Sequence, residues 1–269
     1  MRRLLQFVGH RLYTTWATFW FVFPFVVTYP LQVLLSRQPR WHRYLHALNR
    51  WWSILFIRMW GMPVAVEYRG RIEPGQPVVY VPNHSSYIDI PLLFKAIPGH
   101  LNIMGKSSLA KTPLWGPIFG RAYITVDRSS AVSRGRSFVQ ARQTLAEGRS
   151  VVIFPEGGIA PKPGEELLPF KDGPFQLAIA TGTPLVPVSM PYNHRFMPDV
   201  DGLRVRYSKL RIVVHAPIPT RGLTPDDIPA LKQQVARIIA GEFDPAAAGI
   251  PPASTLRPVP APVRQPVGA

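Results

Sequence analysis

The sequence predicts an α/β fold, with a mostly parallel central sheet flanked by helices and an N-terminal two-helix membrane-associated motif. Three observations carry that expectation. From Val64 onward, apolar strand-like runs alternate with helical patterns, the order that builds parallel sheets. Before Glu67 there is no acidic residue, and the only formally charged side chains up to Met62 are arginines flanking an aromatic and aliphatic block. The buried-strand run Val78 to Val81 leads into Asn83-His84-Ser85-Ser86-Tyr87-Ile88-Asp89, and an apolar helical stretch follows from Ile90. Parallel sheets place their sites at such carboxyl ends of strands.

The elements follow in order. Residues 1–62 carry Arg2, Arg3, Arg11, Arg37, Arg40, Arg43, Arg50 and Arg58. Nothing is charged between Arg11 and Arg37, where Trp16, Phe19, Trp20, Phe21, Phe23, Phe25 and Tyr29 sit among aliphatics. A nucleic-acid arm would interleave basic residues through such a block. Here they flank it, as in a membrane-associated segment. The block exceeds the ~20 residues a span needs, and Pro24 and Pro30 predict kinks. A second apolar stretch, Trp41 to Met62, carries Trp51, Trp52, Phe56 and Trp60 but is interrupted by Arg50 and Arg58. The pair reads as two helices that enter one leaflet and return, with a true span left open.

Residues 63–244 read as the α/β domain. Strands are expected at Val64 to Ile72, Val78 to Val81, Tyr123 to Val126, Val151 to Phe154, Leu185 to Ser189 and Leu210 to His215. Helices are expected at Ile90 to Ile97, Ser137 to Glu147 and Pro174 to Ala180. A last helix has Thr224 as N-cap, Pro225 in its first turn with Asp226 and Asp227, and runs to about Phe243. Residues 245–269, with seven prolines among Ala, Val and Gly, read as a disordered tail.

Composition limits the chemistry. A chain of 269 residues can bury one substantial α/β core. It has no cysteine, so disulfides and thiolate metal sites are excluded. Its seven histidines are scattered, which predicts no metal site. A net charge of +16 calls for an anionic partner.

His84 and Asp89 are the first candidates for catalysis. Residues five apart do not share a helix face. They meet only if His84 lies in the turn and Asp89 points back from the first helical turn. The carboxylate would then fix the imidazole tautomer and leave the other nitrogen to take a proton. A single His-x4-Asp is weak alone, and Asn193-His194 with Asp199 repeats the spacing. That second copy has Pro198 beside the aspartate and lacks a downstream apolar helix, so it reads as a loop coincidence. Three further stations follow. Lys106 precedes a strand ending in Asp127-Arg128, where an arginine can pair with phosphate unless Asp127 takes it. Phe154-Pro155-Glu156-Gly157-Gly158 ends another strand with a carboxylate and two glycines that permit close backbone approach. Pro184-Leu185-Val186-Pro187-Val188 is a buried strand bracketed by prolines.

Taken in order, the four stations resemble the lysophospholipid acyltransferase family, typified by the 1-acylglycerol-3-phosphate acyltransferases. Asn83, His84 and Asp89 match its Asn-His-x4-Asp motif, and Asp127-Arg128 its acidic-Arg motif. Phe154 to Gly157 match its Phe-Pro-Glu-Gly motif, and Val186 to Val188 its Pro-Val strand. Pro169-Phe170-Lys171-x-Gly173 is similar as well. The likeness covers about Pro63 to Ile218. The chain departs where the family continues Thr-Arg-Ser, since Gly158-Ile159-Ala160 stand there and the Arg the family uses near the acceptor phosphate is missing.

The resemblance implies acyl transfer, without cofactor, from acyl-CoA or acyl-carrier protein to the sn-2 hydroxyl of lysophosphatidic acid. His84 would be the general base and Asp89 its orienting partner. Asn83, Lys106, Arg128, Glu156, Gly157 and Lys171 would bind substrate, with Glu156 facing the acceptor's glycerol and Arg128 and Lys106 its phosphate. Lys162 or Lys171 would assist. Backbone amides at the start of the helix after His84 would serve the oxyanion, and Ser85 and Ser86 would cap that helix. The expected partners are membrane lipids and the acyl donor, with no nucleic acid. The expected location is a membrane, at the cytoplasmic face of the bacterial inner membrane. Another lysolipid acceptor, lipid or thioester hydrolysis, and a non-enzymatic membrane binder remain as alternatives.

Overall fold

The computed structural model describes residues 2–159, 167–197 and 205–243. The tail expected from residue 245, together with Ala160, Lys162 and Asp199, lies outside the described residues. Seven strands form one sheet: β1 (Val64–Tyr68), β2 (Val79–Pro82), β3 (Leu101–Lys106), β4 (Ile124–Val126), β5 (Ser150–Ile153), β6 (Leu185–Ser189) and β7 (Leu210–Val214). Their spatial order is β1-β7-β6-β2-β5-β3-β4. All pairings are parallel except β6 with β7. The β6-β7 connection therefore reverses direction and turns β1 and β7 against the other five. β2 lies between β6 and β5, and its four residues are all buried. It has no polar alternation because it has no wet face.

Among the described residues eight α-helices flank the sheet: α1 (Arg2–Ser36), α2 (His42–Met59), α3 (Asp89–Ala96), α4 (Trp115–Ala122), α5 (Ala131–Ala146), α6 (Gly173–Thr181), α7 (Asn193–Phe196) and α8 (Ile228–Ala240). The period-two alternation of the strands divides the core. Tyr80, Val152 and Val186 face a layer that includes Ala17 of α1, Trp52 and Phe56 of α2, and Leu92 of α3. Val79, Val81 and Val151 face the other layer, with Ala141 of α5, Leu177 of α6 and Val235 of α8.

Pro24 and Pro30 both lie inside the single helix α1, which from Val8 to Ser36 is long and apolar enough to cross a membrane by length and composition. Thr28 donates its hydroxyl to the Pro24 carbonyl at 2.7 Å. The hairpin of α1 on α2 is held by aromatic donors. The Trp60 indole reaches the Ala17 carbonyl at 2.8 Å, the Trp52 indole the Phe21 carbonyl at 3.0 Å, and the Trp16 indole the Met59 carbonyl at 2.8 Å. Several aromatics that the sequence assigns to lipid are therefore core: Trp52, Phe56 and Trp60 are buried, and Trp51 is exposed. The composition boundary at residue 62 crosses one shared core.

β3 and α4 are elements that the sequence did not announce. α4 contains Gly116, Pro117 and Gly120, residues that ordinarily interrupt helices. Tertiary packing overrides that preference. A Cβ on Gly116 would come within 2.3 Å of the Ala110 carbonyl oxygen, so the 3₁₀ turn Ser107–Lys111 sits directly on the helix.

Candidate active site

The strand order gathers the distant motifs. β6, β2 and β5 are consecutive in the sheet, and their carboxyl ends deliver Asn193, His84 with Asp89, and Glu156 to one place. β3 and β4 end nearby with Lys106 and Arg128.

His84 lies in the turn after β2, and Asp89 is the first residue of α3. His84 Nδ1 is 2.8 Å from Asp89 Oδ2. The same oxygen accepts the Ser85 and Ser86 amides at 2.8 and 3.0 Å, and Oδ1 accepts the Asn193 side-chain amide at 2.7 Å. A carboxylate only accepts, so Nδ1 carries the proton and Nε2 is left as the basic nitrogen. Asp89 is fully buried while the His84 side chain keeps 18% of its surface. The imidazole stacks on Phe154, with ring centroids 4.1 Å apart.

Two of the expected substrate contacts have another occupation. Glu156 directs Oε1 to the His84 amide at 2.7 Å and Oε2 to the Leu168 amide at 2.9 Å. Its carboxylate therefore stitches the third motif to the first and fixes the backbone under His84. Burial pushes its pKa up, the two amides pull it down, and the nearby Asp89 adds to the rise. Asn83 forms a two-way amide pair with Met190, donating at 3.2 Å and accepting at 2.7 Å. Buried and so paired, it ties β2 to the segment after β6.

The serines also differ from expectation. The residue that caps α3 is Ile88, without a side-chain cap bond. Ser86 donates its hydroxyl to the Met197 carbonyl at 2.6 Å, fastening the end of α7 to the turn that carries His84. The Ser85 and Ser86 amides are both directed at Asp89 Oδ2.

Arg128 and Lys171 both approach Gly157. A Cβ at Gly157 would lie 3.8 Å from the Arg128 guanidinium and 3.8 Å from Lys171 Cγ, and the glycine itself has φ +77°. Asp127 does not take Arg128: it accepts from the Ser129 hydroxyl and amide at 2.6 and 3.0 Å. Those bonds, with Lys106 and Lys111 nearby, hold its carboxyl below the usual range. Desolvation lowers the Arg128 pKa, which remains far above neutrality. Arg128, Gly157 and Lys171 line a cavity of about 670 Å³ that continues between α5, α6 and the sheet past Met104, Phe138 and Phe154. Cations stand on its rim and apolar side chains line its depth.

Asn193 is the functional residue that sequence reasoning missed. It lies in the second His-x4-Asp string, set aside as coincidence, yet its side chain completes the Asp89 shell. Its signal was the β6 strand just before it, since strand ends converge in parallel sheets.

Comparison with known proteins gives the family. The acyltransferase family model matches residues 63–191. The 1-acyl-sn-glycerol-3-phosphate acyltransferase alpha of Ovis aries is 30% identical over 223 residues, covering 80% of this chain and 74% of that protein. The Homo sapiens protein of the same name is also 30% identical, over 80% of this chain and 75% of that one. A lyso-ornithine lipid O-acyltransferase of Pseudomonas aeruginosa is 30% identical over 71% of this chain and 77% of its own length. The crystal structure of the 1-acyl-sn-glycerophosphate (LPA) acyltransferase, PlsC, from Thermotoga maritima superposes with a TM-score of 0.70 at 22% identity, covering 90% of this chain and 95% of that one, and shows the same fold. The chain belongs to the acyltransferase family.

Proposed function

We propose that the protein transfers a fatty acyl group from acyl-CoA or acyl-carrier protein to the sn-2 hydroxyl of lysophosphatidic acid, giving phosphatidic acid for phospholipid synthesis. The observation that carries the mechanism is the His84–Asp89 pair, with Asp89 held by three further donors. An alcohol is a poor nucleophile at neutral pH and needs a base, worth roughly 10²–10⁴-fold. His84 Nε2 takes the hydroxyl proton as the oxygen attacks the thioester carbonyl. Asp89 steadies the imidazolium that forms. When the tetrahedral intermediate collapses, the C–S bond breaks and the imidazolium returns its proton to the leaving thiolate. The thioester is already activated, so no covalent enzyme intermediate is required. Arg128, with Lys171 and Lys106, offers the acceptor phosphate its charge, and the apolar depth of the cavity suits an acyl chain.

The acceptor lies in a membrane, and α1 is suited to reach it. One side of α1 packs on the domain through Tyr13, Ala17, Phe21 and Phe25. The other exposes Leu12, Trp16, Phe19, Phe23, Val27, Leu31 and Leu34. One-sided exposure from Leu12 to Leu34 supports insertion into one leaflet over a span. We take that leaflet to be the cytoplasmic one of a bacterial inner membrane. A second acceptor reading is favoured by one observation. Gly158-Ile159 stand where the family has Thr-Arg, and the lyso-ornithine lipid acyltransferase shares the same 30% identity with this chain as the Ovis aries and Homo sapiens proteins, over 71% of the chain against 80%.

The test is acyl transfer by purified protein from radiolabelled palmitoyl-CoA to lysophosphatidic acid, with neutral and zwitterionic lysolipids as competitors and His84→Ala and His194→Ala alongside. Phosphatidic acid from wild type and His194→Ala, but not from His84→Ala, is the expected result. Transfer to another lysolipid only would move the acceptor to the second reading. Free fatty acid released without an acceptor would make the protein a hydrolase.

A further inference from the structure

We propose that the solvent face of α5 is the docking surface for an acidic, helical carrier protein that brings the acyl thioester. The proposal rests on the acyl-transfer reading above and specifies its donor. From Arg128 to Ala146 the chain carries Arg128, Arg134, Arg136 and Arg142 and no Asp or Glu. On α5, Val132, Arg136 and Val139 follow at i, i+4 and i+7, so they share a face. Val132 is 65% exposed and Val139 64%, with the exposed Arg136 and Arg142 beside them. None of the ion pairs among the described residues involves Arg134, Arg136 or Arg142. A pair of bare valines rimmed by unneutralised arginines is an apolar contact with an electrostatic guide around it.

Its position argues against lipid as the occupant. α5 packs on the sheet face of Val79 and Val151, while α1 and α2 pack on the opposite face with Tyr80 and Val152. A bilayer against the apolar side of α1 lies across the sheet from the α5 arginines, so their anionic partner comes from the aqueous side. The cavity of about 670 Å³ lies directly beneath, lined by Arg134, Phe138 and Ala141 of the same helix. Acyl cargo delivered at α5 thus meets apolar space leading to Phe154, on which His84 stacks.

The chemistry of the patch selects among soluble anions. Coenzyme A has phosphates for the arginines, but its aliphatic part is a single gem-dimethyl group, too small to cover two valines about 10 Å apart along the helix. Valines give nucleobases no stacking platform, which weakens the case for nucleic acid. A second copy of this chain, at +16, is repelled. A helix with acidic residues around apolar ones satisfies both parts of the patch.

The experiment compares palmitoyl-acyl-carrier protein with palmitoyl-CoA as donors to one lysolipid, for wild type, for Arg136→Glu with Arg142→Glu, and for Val139→Glu. The expected result is a rise in KM for the carrier thioester of about tenfold or more, shrinking as salt is added, with kcat unchanged. Kinetics with palmitoyl-CoA stay within about twofold, which also shows that the variants fold, and sedimentation with anionic vesicles is unchanged. Equal losses with both donors, an unchanged KM for the carrier thioester, or loss of vesicle binding would overturn the proposal. Transfer from palmitoyl-CoA alone in wild type would overturn the docking surface and leave the acyltransferase reading standing. No transfer from either donor would remove both.

Discussion

The side-chain amide of Asn193 donates to Asp89 Oδ1 at 2.7 Å across 104 residues of chain. With Oδ1 held there, Oδ2 is aimed at His84 and at the Ser85 and Ser86 amides. In the mechanism proposed above Asn193 is a positioning residue, since it sets the plane of the carboxylate that orients the base. Replacing it with alanine leaves a buried carboxylate oxygen without its donor, a loss of roughly 1.5–3 kcal/mol for a charge-assisted bond. Asn193→Ala should lower kcat roughly ten- to hundredfold with KM little changed, and Asn193→Ser, which keeps a donor, should recover part of it. Wild-type kcat in the alanine variant would show that Asp89 needs no such support.

Glu156 and the backbone of His84 form the second coupling. Glutamine at 156 has one carbonyl oxygen where the carboxylate has two, so either the His84 or the Leu168 amide loses its acceptor. A buried amide left unsatisfied costs about 1–3 kcal/mol. Glu156→Gln should lower Tm by several degrees and also lower kcat, because the turn that carries His84 is released. A variant that loses activity at unchanged Tm and raises KM for the acceptor would instead indicate direct substrate contact.

The exposed side of α1 makes a membrane prediction. Phe19 and Phe23 are about half exposed and stack on each other with centroids 5.0 Å apart. Burying one such ring contributes roughly 1.5–3 kcal/mol. Phe19→Ser with Phe23→Ser should weaken vesicle partitioning by at least about tenfold while leaving the unfolding midpoint in detergent unchanged. Undiminished co-sedimentation would place the lipid contact elsewhere.

The buried His46 and His215 and the half-buried His100 make stability depend on pH. Burial lowers the His46 pKa to about 3, with His100 and Arg50 adding to the effect, and the His100 pKa to about 4, with Arg149 adding. Burial likewise lowers His215 to about 4, partly opposed by Glu242. The folded values lie below the unfolded value near 6.5, so the unfolded chain takes up protons first as pH falls. Their contribution is complete above about pH 6.5 and is lost as pH drops toward 4, at about 1.4 kcal/mol per pH unit for each titrating histidine. Denaturant midpoints should fall between pH 7 and pH 5. His46→Phe, which keeps the edge contact with Phe94, should flatten that slope by one proton's worth. An unchanged slope would mean that His46 titrates freely in the fold.

The strands and helices with strong periodicity were legible in the chain. β6 begins and ends where its apolar run does, and α3 and α6 lie within about a residue of expectation. β3 was not, because Leu101–Lys106 mixes Asn, Gly and Lys with apolar residues and becomes a strand only by pairing with β5 and β4. α4 was hidden by Pro117 and its two glycines, of which Gly116 suits the close approach of the Ala110 turn. In the site, His84, Asp89 and Arg128 could be picked out from their strand-end positions. The occupations of Glu156 and Asn83 could not, since both bind backbone groups from distant segments.

By itself the sequence determined the α/β class, the apolar N-terminal segment with its arginine flanks, and the four ordered motifs that mark an acyltransferase. Those properties are local: periodicity, composition and residue type at a strand end are written within a few neighbours. Only the tertiary structure decided that Asn193 completes the Asp89 shell, that Glu156 braces His84, and that Trp52, Phe56 and Trp60 are core. It also set the α5 arginines on the sheet face away from α1. Each of these depends on which strands become neighbours, and the order β6-β2-β5 is a property of the whole packed sheet.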